Sequence, residues 1–331
     1  MLRFGLLGAG RIGQIHGRNA ATLAGATLVA VGDIDQTAAG KLAKANGAEV
    51  RDLKAIVAAK DLDALIIGTP TFLHADLIEA GVKAGKAVFC EKPVDLSSKR
   101  VEKCLKVVEA SGRPLMIGFN RRFDPNFSSL QKRISKGAIG NVEIVSIMSR
   151  DPGPPPISYI TTSGGLYRDM MIHDFDMARF LLGEEPIEVT AYGSNLVDPE
   201  IGKAGDIDTA LVIMRTATGK LAQISNSRRA AYGYDQRIEV HGSAGMARAD
   251  NLLETSVEIA GKNGFTKDPA QYFFLERYAQ AYRLELASFI EAVTKKKHPS
   301  PSGRDGLQAQ RLADAATKSK ETGRPVEVKP E

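Results

Sequence analysis

RFGLLGAGRIG at residues 3–13 and TLVAVGD at residues 27–33 are short apolar runs joined by a segment of helical period. Within the first, Gly8, Gly10 and Gly13 stand in the spacing G-x-G-x-x-G, with Arg11 and Ile12 inside it. Ile12, Ile15, His16, Asn19, Ala20 and Leu23 then fall on one face of a helix. The motif alone is weak, because about 1 residue in 14 is glycine in ordinary proteins. Its place between a strand and a helix gives it meaning. The glycines allow a tight turn, close approach of backbone to a pyrophosphate, and close packing of helix on strand, with the phosphates on the helix N-terminus. Twenty residues after Gly13, Asp33 closes the second run, where a carboxylate accepts hydrogen bonds from ribose hydroxyls. That charge would repel a 2′-phosphate, and Ile34 and Asp35 offer no cation to pair with one, so NAD is favoured over NADP. The same motif also serves FAD.

Further along, DALIIG (63–68), AVFCE (87–91) and LMIGF (115–119) are apolar runs alternating with helical segments, the pattern of a parallel sheet wound with helices. From about Asn141 the runs lengthen and alternate: VEIVSIMS, IEVTAYGS, DTALVIMR, KLAQISNS, QRIEVHG and SVEIA. They read as a largely antiparallel sheet. Between the first two lie the loop DPGPPPISYITTSGG and a helical stretch from about Leu166 to Leu182, stopped by Gly183 and Pro186. A connection that long often carries function. Tyr278 to Val293 and Gly303 to Thr322 read as two more helices. The expected fold is α/β: a Rossmann dinucleotide-binding domain over residues 1–120, then an α+β domain over 121–331 with a large open, mostly antiparallel sheet. The C-terminal helix, about 303–322, is a candidate to pack back on the first domain.

The 331 residues suffice for two domains that each bury a core. Charged residues at 25% and apolar ones at 43% exclude wholesale disorder. The net charge of +5 comes from 44 basic and 39 acidic residues spread through the chain, with only Lys295, Lys296 and Lys297 in a run. No basic stripe or reading motif points to nucleic acid. Cys90 and Cys104 are too few for a disulfide framework and lack zinc spacing. No stretch approaches the length and apolarity of a spanning helix, and no leader pattern opens the chain. A cytoplasmic protein is expected.

GTPTFLHAD and CEKP follow the third and fourth runs, where the strand ends of a doubly wound sheet form a ligand crevice. In CEKP, Lys92 supplies a cation beside Pro93, a candidate for a cis bond. In RDMMIHDFDMARFLLG, Asp169 and His173 stand four apart on the expected helix and so share a face. A neutral histidine accepts a hydroxyl proton as hydride leaves carbon, and a neighbouring carboxylate fixes its tautomer and raises its basicity. Lys92 would stabilise the developing alkoxide. As an intrahelical pair alone, Asp169 and His173 would contribute only about 0.2–0.5 kcal/mol. Asp174 and Asp176 permit a metal site, but no second histidine falls at ligand spacing, and no metal is expected.

At these residues the chain resembles the glucose-fructose oxidoreductase, inositol dehydrogenase and rhizopine-catabolism (Gfo/Idh/MocA) family over essentially its whole length. GLLGAGRIG, FCEKP and the Asp169 to His173 pair carry the likeness. GFNRRFDP, SRDPGPPPISYI, SGGLYRDMMIHDFDMARFLLGEEP and ISNSRRAAYGYDQRIEVHGSAGM are similar to its inositol 2-dehydrogenase branch. The resemblance implies that Lys92, Asp169 and His173 are catalytic, and that a ring carbinol of myo-inositol is oxidised to 2-keto-myo-inositol with hydride passing to nicotinamide C4. It implies that Thr69, Pro70, His74, Glu91, Lys92 and Asn120 lie along NAD. It also implies that Lys92, Asn120, Arg121, Asp151, Asp169, His173 and Tyr234 meet the ring hydroxyls, and that subunits pair through the open sheet, a homotetramer being expected. Asn120, Asp151, Tyr232, Tyr234 and Asp235 have the chemistry a polyol needs. The Arg pairs at 121 and 122 and at 228 and 229 are open to an anion clamp or to surface ion pairs. Other readings are a dehydrogenase of another cyclitol or sugar, a glycosidase that uses NAD, or a noncatalytic NAD-binding regulator.

Overall fold

The computed structural model describes residues 1–329. Contacts group the chain into two units. The first is Met1–Phe123 with Ala281–Gln310; the second is Asp124–Gln280 with the chain from Arg311 onward.

In unit 1, β1 (Leu2–Leu7), α1 (Arg11–Thr22), β2 (Ala26–Gly32), α2 (Gln36–Asn46), β3 (Glu49–Val50), α3 (Leu53–Ala58), β4 (Ala64–Ile67), α4 (His74–Lys83), β5 (Ala87–Cys90), α5 (Ser98–Ser111) and β6 (Leu115–Ile117) alternate along the chain. The strands form one parallel sheet in the order β3-β2-β1-β4-β5-β6, so connections diverge between β1 and β4. Every residue of β4 and β5 is buried, as expected of strands covered on both faces. Helix boundaries follow local chemistry. The Asp35 carboxylate caps α2 through the N–H groups of Thr37 and Ala38, and Gly47, at φ 67°, ends it in the left-handed region. Cys90 in β5 and Cys104 in α5 are both free and buried.

Unit 2 contains α6 (Pro125–Ser135), β7 (Val142–Arg150), α7 (Ile157–Ser163), α8 (Leu166–Asp169), α9 (Ile172–Leu182), β8 (Pro186–Ser194), α10 (Pro199–Lys203), β9 (Thr209–Thr216), β10 (Leu221–Ser227), β11 (Asp235–Gly242), β12 (Gly245–Ala249), β13 (Glu258–Gly261), β14 (Gly264–Lys267) and α11 (Phe274–Arg277). Then come α12 (Ala279–Thr294), which carries the chain into unit 1, α13 (Gly303–Thr322), which returns it to unit 2, and β15 (Val326–Glu327). Leu286, Phe289 and Ile290 of α12 join Phe4, Leu6, Leu28, Ile66 and Phe89 in the core of unit 1.

The second sheet runs β12-β11-β7-β10-β9-β8-β15 and is antiparallel except where β7 pairs with β10. Its alternation is clean along β9, where Ala210, Val212 and Met214 are buried while Leu211 and Ile213 are more than half exposed. Helix α9 packs on β7 and is buried nearly all round.

Three expectations change here. SVEIA, read as part of the large sheet, instead supplies β13, which pairs with β14 in a separate two-stranded hairpin. The single helix from Leu166 to Leu182 is instead two, α8 and α9. The N–H groups of Met170 and Met171 both reach the Leu166 carbonyl, at 3.0 and 2.9 Å, so Met171 bonds five residues back and widens the turn. Both methionines are buried by that turn. Asp169 therefore closes one helix while His173 lies in the first turn of the next, and their spacing is not that of one regular helix face. The loop before them also contains α7, which no periodicity announced.

Candidate active site

In unit 1 the chain leaves β1 at the divergence point and turns through Gly8 and Gly10 into α1. Gly8 has φ 104°, and a Cβ there would stand 2.5 Å from the Gly68 carbonyl oxygen. A Cβ on Gly13 would stand 2.0 Å from the Gly8 carbonyl oxygen, which is the close approach of helix to strand that the motif demands. Gly10 differs, because a Cβ there would meet nothing within 4 Å. No side chain caps α1, so its first N–H groups open onto that space, where the helix dipole favours an anion.

Asp33 lies just past β2. Its Oδ2 accepts the Ala9 N–H at 2.6 Å and its Oδ1 the Asp35 N–H at 2.8 Å. Each carboxylate oxygen has capacity for a further donor. The acid is thus fixed to the glycine turn while keeping acceptor capacity for ribose hydroxyls. The Oγ1 of Thr69 and the Nδ2 of Asn120 are buried polar atoms without a hydrogen-bond partner in the chain, as expected of groups kept for a ligand. Open space at Gly10, the Asp33 acceptors and these two atoms together fit NAD.

Pro70, His74, Glu91 and Lys92 gather at the ends of β4 and β5. His74 is buried with Nδ1 2.7 Å from the Pro93 carbonyl and Nε2 2.7 Å from the Thr69 carbonyl. It thereby ties the segment after β4 to the Lys92–Pro93 bond, which is cis. Burial lowers the pKa of His74, and the two carbonyl contacts oppose the shift without reversing it. Glu91 engages the protein itself, with Oε1 2.7 Å from Nε2 of the buried His16. The His16 ring stands edge-on to Phe89 and Tyr282. Glu285 completes this buried group, the one cluster among the described residues with possible metal-ligand spacing. Asn120 and Arg121 are both buried in the turn after β6, and Arg122 pairs with Asp305 at 2.9 Å.

In unit 2, Asp169 Oδ1 accepts the Tyr159 hydroxyl at 2.8 Å, and Oδ2 lies 3.3 Å from Nη2 of Arg228. His173 is the second residue of α9. Asp151 follows β7, its N–H bonded to the Ser227 carbonyl. Tyr234 is buried edge-on to Tyr278. Tyr232 and Asp235 are bonded to each other at 2.7 Å, and Arg237 holds the same carboxylate.

The metal reading of Asp174 and Asp176 loses its ligands. Asp174 is fully buried and accepts from Ser149 and Asn226, while Asp176 faces Arg179. Arg228 is no surface ion pair, being 1% exposed, whereas Arg229 is exposed and donates to the Leu196 carbonyl. Sequence reasoning missed Tyr159, Asp206 and the His16 to Glu91 pair. Only His16 left a signal, as a polar residue on the apolar face of α1.

Residues 2–119 match the model of an oxidoreductase family, NAD-binding Rossmann fold, and residues 131–328 match that of the same family's C-terminal alpha/beta domain. An inositol 2-dehydrogenase of Rhizobium meliloti (strain 1021) is 58% identical over 318 residues, covering 96% of each chain. A solved myo-inositol dehydrogenase from Corynebacterium glutamicum superposes with a TM-score of 0.96 at 43% identity, covering 100% of both chains. A scyllo-inositol dehydrogenase from Lactobacillus casei, solved with NAD(H) and scyllo-inositol, gives 0.92 at 30% identity, covering 99% of both.

Proposed function

The chain belongs to the Gfo/Idh/MocA oxidoreductase family, and from that premise we propose how its residues divide the work of oxidising inositol with NAD. NAD, when bound, supplies the acceptor for a hydride leaving a ring carbinol. His173 accepts the hydroxyl proton as the carbon–hydrogen bond breaks. Asp169, held on one side by Tyr159 and on the other by Arg228, orients that imidazole and favours its charged form. Lys92 lowers the energy of the developing alkoxide, a charge that exists only as the reaction proceeds. Asn120, Arg121, Asp151 and Tyr234 bond the remaining ring hydroxyls. The ring is myo-inositol and the product its 2-keto form.

The observation that carries this reading is Asp33, a carboxylate fixed to the glycine turn and followed by Ile34 and Asp35, on a chain similar to inositol dehydrogenases. The test is NADH absorbance with myo-inositol and its isomers, with NAD and NADP in parallel. Rapid NADH formation from myo-inositol supports the reading. A faster reaction with scyllo-inositol, D-chiro-inositol or glucose would move the substrate within the family, and no reaction with any would remove it.

The outer face of the second sheet presents Tyr192, Leu211 and Ile213, a row suited to burial against a second copy, in support of a homotetramer. The two free thiols suit a reducing compartment, in support of the cytoplasm.

A further inference from the structure

We infer that Arg228 is a positioning residue for Asp169, acting through a clamp that holds both ends of α8; the inference rests on reading Asp169 and His173 as the catalytic pair. Arg228 follows β10, its N–H bonded to the Asp208 carbonyl at 2.8 Å, and it is 1% exposed. A guanidinium keeps its charge at any working pH, so burial at this depth demands anionic partners. It has two. Nη2 donates to Asp169 Oδ2 at 3.3 Å and lies 3.9 Å from Asp206 Oδ2, an ion pair too long for a hydrogen bond.

Asp206 turns its other oxygen to the opposite end of the same helical turn, where Oδ1 accepts the Leu166 N–H at 3.0 Å. The fit there is close, since a Cβ on Gly165 would stand 2.8 Å from that oxygen. Asp206 thus grips the residue that opens α8, Asp169 is the residue that closes it, and Arg228 joins the two carboxylates. Arg168, the other charged residue of the turn, is bound to Asp314 at 2.8 Å. A helix of four residues does not hold itself in water, so its place comes from these side-chain bonds and from packing. With Tyr159 on Oδ1 and Arg228 on Oδ2, the Asp169 carboxylate has one plane to present. The Nε of Arg228 is buried without a hydrogen-bond partner, so the guanidinium faces these carboxylates through Nη2, by a hydrogen bond to Asp169 and by charge to Asp206.

The test compares wild type, Asp169→Asn, Arg228→Gln and the double variant by kcat and by KM for inositol and NAD. Arg228→Gln is expected to lower kcat roughly 10- to 100-fold, the scale of a displaced catalytic group, with KM for NAD unchanged. Arg228→Lys, which keeps a cation, recovers part of that loss. The double variant is no slower than Asp169→Asn, because the two groups act through one another. Losses that multiply in the double variant, or wild-type kcat in Arg228→Gln, overturn the inference and leave Asp169 in its role. Wild-type turnover in Asp169→Asn overturns the catalytic pair and the inference with it. Should Arg228→Gln lack a cooperative melting transition, Asp206→Asn takes its place. A lowered kcat at unchanged KM for NAD then supports the clamp, and a wild-type kcat overturns it.

Discussion

The Nε2 of His16 lies 2.7 Å from Oε1 of Glu91, joining the first helix of unit 1 to the residue before Lys92. The pair is almost wholly out of water, so removing one partner strands the other. Glu91→Leu is expected to lower stability by about 1–3 kcal/mol, the penalty for an unsatisfied buried polar group, whereas Glu91→Gln, which keeps an acceptor, loses less. Urea unfolding midpoints decide it, and equal midpoints for the two variants would show that the hydrogen bond contributes nothing.

His173→Ala should reduce turnover by roughly 100-fold or more, the scale of a lost general base, while leaving NAD binding in place. Nucleotide binding followed by fluorescence separates the two effects. Turnover at the wild-type level would end the assignment of His173.

Cofactor choice should move with Asp33. Ile34 is 91% exposed, so an arginine there meets no packing obstacle. Asp33→Ala combined with Ile34→Arg is expected to raise KM for NAD by roughly 10-fold or more and to admit NADP, since the repelling charge is replaced by an attracting one. If neither KM responds, Asp33 is not at the ribose.

His74 should give stability a pH slope. Its folded pKa lies below the ordinary 6.5 because burial penalises the imidazolium, so below that pH the unfolded chain takes up a proton that the folded chain resists. The contribution is complete above 6.5 and is lost as pH falls from there towards the folded value. Melting temperatures from pH 8 to 5, compared with His74→Gln, test this, with a shallower decline expected in the variant. Parallel declines would show that His74 does not titrate in this window.

Local patterns carried much of the fold. Asp33 was found because strand, turn and helix lengths fix how far from Gly13 the second strand must end, and α13 was bounded correctly by its own period. Asp169 and His173 stand out in the sequence as a candidate pair, whereas the turn between them does not. Nothing in RDMMIHDF marks the wide turn at Met171, because two adjacent methionines are compatible with an unbroken helix and only tertiary burial selects the alternative. In sequence Arg228 is equally open to an anion clamp or a surface ion pair, for a similar reason. Its burial depends on Asp206 and Asp169, partners 22 and 59 residues away. The 3-2-1-4-5-6 strand order was likewise out of reach of periodicity, which says that strands exist and not which ones pair.

Burial of the two cysteines also makes the protein chemically quiet. It pushes the Cys90 thiol well above its ordinary pKa and the Cys104 thiol up to about 12, and only a thiolate attacks an electrophile quickly. A maleimide dye should therefore pass over the native chain near neutral pH. A cysteine introduced on the exposed β13–β14 hairpin, for example Lys262→Cys, becomes a single addressable handle without any native residue having to be removed.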